Sequence, residues 1–299
     1  MPVDGAGEAV SVGGLGELGW ARVRPAPAQR SGGCYILGRV PSFAVSICVL
    51  TVFQALTVAA PRAYEIPALA RLRSGWWAAI PALSLVAFVF GVRALSGAAD
   101  GLTYLALIAV PPLAALALAG GVRGARRWLA PAAAALFALA WADRLGLAGE
   151  TAGLLLEALS CVTLALLLFS VTPPRLLKLG IVVAAAVDTW LVASSRLTVP
   201  NNALNAVTPV AQLPHLQSAV FGSAVMGYED LFVAALLGAL LAAQPRLAAR
   251  GAAIAALIGL LMNLLFFVVK ALPATVPIAL TVLVLEAFAL RRARRAARV

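Results

Sequence analysis

The sequence predicts an all-α fold, a polytopic transmembrane helical bundle of about nine spans. Three observations predict it. Of 299 residues, 63% are hydrophobic and 12% charged, whereas soluble domains run at about 45–50% apolar and about 25% charged. The apolar residues gather into runs, most of them near the length of about 20 residues that a helix needs to cross a bilayer. The net charge of +11 is spread singly or in small groups between those runs, the pattern of membrane loops. It forms no patch interleaved with aromatics, so nucleic acid is not expected as a partner.

In chain order, residues 1–41 are rich in Gly, Ala and Pro with charges of both signs, and a disordered tail is expected. They hold no apolar stretch of the kind a cleavable signal peptide carries. Apolar segments follow at 42–60, 76–92, 101–120, 128–142 and 151–171, a first bundle within 42–172. A second bundle, 173–290, holds segments at 179–195, 218–243, 252–269 and 273–290. The connection 196–217 is long and polar, while the others are short and favour antiparallel neighbours. Small residues pervade the segments, as expected where helices approach closely. Residues 291–299 form a basic tail. Counted by side, Lys and Arg split 15 to 8, which places the C-terminus in the cytoplasm and the N-terminus outside.

Cys34, Cys48 and Cys161 share no metal-like spacing and read as small packing residues. His215 has no partner at ligand spacing, so neither a metal site nor any cofactor is expected. Glu157 and Glu286 are placed near segment ends, where snorkelling or pairing, for Glu286 with Arg291 or a nearby Arg, accounts for them. Asn263 reads as an interhelical hydrogen-bonder.

Two other acids stand out. Gly227-Tyr228-Glu229-Asp230 lies inside the apolar run 218–243, and Asp188 inside 179–195. A charge at bilayer depth costs at least about 2.5–3.5 kcal/mol, so such acids mark functional sites. At 1.5 Å per residue, Asp188 lies about 12 Å from the Arg196 end and Asp230 about 18 Å from Ser218. The two are therefore expected to meet near mid-membrane. Two carboxyls about 3 Å apart share one proton. One member then takes a proton from water while the other polarises a carbonyl, which is the machinery of peptide hydrolysis without a covalent intermediate. Lone acids in spans also serve as proton relays, so a proton-coupled transporter or exporter is the alternative from a different class. Glu229, about 100° around a helix from Asp230, either tunes the site or bonds across to a neighbouring span. Lys270-Ala271-Leu272-Pro273-Ala274-Thr275-Val276-Pro277 carries two prolines at a segment start. They disfavour a regular helix there and leave backbone able to pair with an extended peptide.

These three places, in the sixth, seventh and ninth segments, resemble the presenilin and signal peptide peptidase family of intramembrane aspartyl proteases. The family's Tyr-Asp stands here as Val187-Asp188, its Gly-x-Gly-Asp as Gly227-Tyr228-Glu229-Asp230, and its Pro-Ala-Leu-Pro as Lys270-Ala271-Leu272-Pro273. Both aspartates are kept and each motif is altered around them. The resemblance covers about the last 120 residues; the first five segments match in number alone. It implies a nine-span presenilin-like fold and an endopeptidase that hydrolyses peptide bonds within transmembrane segments. Asp188 and Asp230 would be the catalytic dyad, Ala271, Leu272 and Pro273 would receive substrate, and Gly227 would allow close approach of helices. The orientation matches the signal peptide peptidase branch, which implies substrates with cytoplasmic N-termini. Transmembrane proteins and the bilayer are the expected partners, and the plasma membrane the expected location.

Overall fold

A computed structural model describes residues 41–63, 67–269 and 272–296. The tail expected over 1–41 lies outside them apart from Pro41, as do Lys270 and Ala271. The order is α1 (Phe43–Ala59), α2 (Pro67–Ala70), α3 (Ile80–Ala94), α4 (Ala98–Leu116), α5 (Ala132–Ala142), α6 (Leu147–Val171), α7 (Pro174–Ala193) and α8 (Thr198–Ala206). Then come a hairpin of β1 (Ser218–Phe221) and β2 (Ala224–Gly227), α9 (Tyr228–Leu241), α10 (Pro245–Asn263) and α11 (Val276–Ala296). Five helical stretches are long and apolar enough to cross a membrane: Gly75–Ala94, Ala98–Gly121, Leu147–Val171, Pro174–Ala193 and Pro245–Phe267. The chain is thus a helical integral membrane protein. Phe43–Ala59 and Arg127–Ala142 are apolar but shorter, and α9 has 14 residues.

The bundle is built around α9. A helix that is apolar all round has to be enclosed on every side, and each residue of α9 from Asp230 to Ala239 is buried. Helices α1, α6, α7, α10 and α11 pack around it. Outer helices instead turn large apolar side chains outward, as Leu105 and Ile108 on α4 and Leu257 and Leu261 on α10 do, which suits a hydrocarbon surround.

Gly238 sets the α1–α9 crossing. A Cβ there would stand 2.6 Å from the Val58 carbonyl oxygen and 2.8 Å from the Pro61 ring. The obstacle is backbone and cannot swing away. Gly238→Val is therefore expected to destabilise the fold by about 1–3 kcal/mol, the usual cost of overpacking, read by denaturant titration in micelles. Arg123 holds the same end of the bundle, donating from Nε to the Pro61 carbonyl (3.2 Å) and from Nη2 to the Ala242 carbonyl (3.3 Å). A cation beside a helix C-terminus also complements its dipole.

One expected span is not a single helix. The run 218–243 breaks into the β-hairpin and α9, with Phe221 paired to Ala224 across a two-residue turn. The reason is local. Gly222 takes φ +56°, which a two-residue hairpin turn requires and a side chain resists. The turn is anchored on both sides: Gly222 N–H donates to Glu150 Oε2 (2.6 Å) and Ser223 N–H to Ser46 Oγ (3.2 Å). Apolarity alone had read this stretch as one helix, and the Gly-Ser turn outweighed it. The connection 196–217 likewise contains α8 and a 3₁₀ turn, Val210–Gln212.

Three smaller expectations change. Glu157 lies mid-way along α6 and is 1% exposed, so it is a core residue and does not snorkel. Glu286 pairs with Lys178 of α7 and not with an arginine. Cys48 faces outward, whereas Cys161 is buried. Asn263 does bond between helices, donating from Nδ2 to Thr51 Oγ1 at 2.9 Å.

Candidate active site

The hairpin revises how the two aspartates share a level. Because Ser218 pairs with Gly227, the chain from 218 to 227 doubles back and adds almost no depth. Asp230 is the third residue of α9, only about 3 Å along the axis from its start. Asp188 sits five residues before the end of α7, about 7.5 Å from it. Helices α7 and α9 pack together, and both aspartates are 3% exposed. Thr275 bonds Asp188, and the adjacent Ala274 carbonyl shares the Gln54 amide with the Asp230 carbonyl, so one short segment joins the surroundings of the two aspartates.

Each aspartate has its own support. Thr275 Oγ1 donates to Asp188 Oδ2 at 2.6 Å, and the Gly227 N–H donates to Asp230 Oδ2 at 3.1 Å. Gly227 is the last residue of β2, and a Cβ there would meet the Glu229 carboxyl. Its lack of a side chain thus makes room for Glu229, and the close helix approach falls to Gly238. Leu272 and Pro273 line a pocket of about 40 Å³ together with Asp230, Gln54, Thr51 and Pro277. One water needs about 10–15 Å³ of such space, so the pocket has room for a reactant water beside Asp230. Ala271 lies outside the described residues.

Gln54 joins these pieces. From α1 its Nε2 donates to the Asp230 carbonyl (3.2 Å) and to the Ala274 carbonyl (2.8 Å), tying α9 to the segment before α11. Gln54→Leu keeps the volume and removes both donors. A buried carbonyl left unpaired costs about 1–3 kcal/mol. The expected result is a lower unfolding midpoint together with faster proteolytic nicking of the 272–275 segment.

A far larger cavity of about 830 Å³, within the range of ligand sites, also borders the hairpin. Apolar residues of α3, α4 and α6 line it, and Gly227, Tyr228 and Glu229 reach its edge. Tyr228 is fixed by a 2.7 Å hydrogen bond between its hydroxyl and Ser160 Oγ. Pairing alternates along a two-residue hairpin, so Val225 turns its N–H and C=O away from β1. That backbone edge runs directly into Asp230.

Gln54, Thr275 and the hairpin edge were not singled out from sequence. Gln54 carried the same signal as the aspartates, a polar residue within an apolar run. Thr275 stood unremarked inside the proline segment.

No family model, curated protein or solved structure matches the chain.

Proposed function

We propose that the protein is an intramembrane aspartyl protease of nine-span, presenilin-like organisation, hydrolysing peptide bonds within transmembrane segments. The observation that carries this is that Asp188 and Asp230 are both buried on packed helices α7 and α9, each carboxyl held by a separate donor. A relay for transport needs acids strung along a path, and the placing of Asp188 near the end of α7 and Asp230 near the start of α9 supports a paired arrangement instead.

The chemistry follows from a shared proton. The ionised carboxyl of the pair removes a proton from water, whose oxygen attacks the scissile carbonyl carbon. The protonated carboxyl gives its proton to the carbonyl oxygen. Collapse of the gem-diol breaks the C–N bond: one of its hydroxyls returns a proton to the carboxyl that had given one, and the departing amine takes the proton that came from water, so the pair ends with one proton as it began. The two groups act as a unit, so acid and base are not assigned singly.

A helical substrate hides its peptide bonds and has to unwind first. The outer edge of β2, a strand paired on one side alone among the described residues, offers it backbone partners as an added strand, and the apolar cavity accommodates the part still helical. Glycine in the substrate segment eases the unwinding. The N-terminus lies outside and the C-terminus, with its Arg-rich end, in the cytoplasm.

The test reconstitutes the purified chain in vesicles with a tagged single-span reporter and identifies the products by mass. New termini inside the apolar segment of the reporter are expected. Cleavage confined to its aqueous flanks, or proton-coupled solute uptake without any cleavage, would remove this reading.

A further inference from the structure

Glu229 Oε1 is fully buried and has no hydrogen-bond partner. The same holds for Gln217 Oε1. Both side chains border the large cavity. They are also near one another in the fold, because Ser218 pairs with Gly227 at the hairpin base, with Gln217 just before one strand and Glu229 two residues after the other. Both orphaned atoms are acceptors, so what they lack is a donor. Buried polar atoms without partners are few in native structures and need an explanation.

The surroundings narrow the donor further. Glu229 is the one charged side chain among the described residues lining the cavity, whose other walls are mostly Leu, Phe, Val and Ala. A carboxyl so placed is stabilised by an incoming cation with hydrogen-bond donors. A long aliphatic stem matches the apolar wall, with the charge carried at its tip.

We infer that Glu229, with Gln217, forms a specificity subsite for a lysine or arginine side chain of the substrate, next to the scissile bond. The identity of the occupant rests on the proteolytic reading; the cation site itself rests on the two orphaned acceptors. The cation would also supply the positive charge that none of the described residues lining the cavity carries.

The experiment uses an apolar peptide of about 20 residues with one central lysine, and counterparts with methionine or glutamate at that position. Binding is measured by fluorescence anisotropy in micelles on the full chain carrying Asp188→Asn, which prevents turnover. The lysine peptide is expected to bind about tenfold more tightly than the methionine peptide, as a charged hydrogen bond allows. Glu229→Gln should abolish that preference. Glu229→Lys should transfer the preference to the glutamate peptide, which a merely structural role for Glu229 would not produce. Equal binding of lysine and methionine peptides, unaffected by Glu229→Gln, would overturn the subsite. Cleavage of the same peptides by the unsubstituted chain is followed in parallel. Cutting without lysine preference removes the subsite and leaves the protease; lysine-selective binding without cutting removes the protease and leaves the subsite.

Discussion

Replacing either Asp188 or Asp230 with asparagine is expected to lower reporter cleavage by about 10²–10⁴-fold, the range that a general acid or base supplies. Asparagine keeps the size and much of the hydrogen bonding of aspartate but can neither take a proton from water nor hold one for the carbonyl. The two losses should not add. Once one carboxyl is gone no shared proton exists, so the double variant is expected to be about as inactive as either single one. The unsubstituted chain should show one pH optimum with the rate falling on both sides, since exactly one proton on the pair is the working state. Initial rates on the reporter, with binding measured separately, check all three points. Activity kept by either single variant would rule out a joint role.

Thr275→Val is expected to reduce turnover by about 10–100-fold with little change in substrate binding. Valine has nearly the shape of threonine, so packing is preserved, but the 2.6 Å hydrogen bond to Asp188 Oδ2 is lost. A buried carboxyl oxygen left without its donor costs about 1–3 kcal/mol, and at 1.4 kcal/mol per decade this gives the stated range. Thr275 touches neither water nor substrate in the proposed chemistry and acts as a positioning residue. Two readouts separate that from simple loss of structure. Thr275→Ser keeps the hydroxyl and should restore most of the rate, and the pH optimum of Thr275→Val should move because the bond favours one protonation state of Asp188. An unchanged optimum, or failure of serine to rescue, would contradict the assignment.

Much of the fold was legible because its physical basis is simple. Long apolar runs such as 151–171 and 252–269 had to become helices buried in hydrocarbon or in protein, and α6 and α10 occupy them. What composition did not distinguish was helix from strand within 218–227. Val, Phe and Ala suit either, and the deciding residue was Gly222, whose positive φ suits a tight turn. The candidate site was legible to the extent that its residues were expensive in place. Asp188, Glu229 and Asp230 announce themselves by standing among apolar neighbours. Their supports do so less clearly, because Thr275 and Gln54 are common residues whose meaning comes only from what they reach across the chain, Gln54 and Asp230 being 176 positions apart. Glu157 misled by its nearness to a presumed segment end; α6 starts earlier, at Leu147, and carries it into the core.

The most direct measurement joins the two positions chemically. In a chain with Cys34, Cys48 and Cys161 replaced by alanine, Asp188→Cys and Asp230→Cys are introduced together, and a short bis-maleimide is added to intact membranes. A single bridge within one chain is expected, blocked beforehand by a peptide that fills the site. Two separate adducts, each formed readily by a lipid-soluble thiol reagent with no bridge between them, would mean that the carboxyls never meet, and the proposed hydrolysis would have no catalyst.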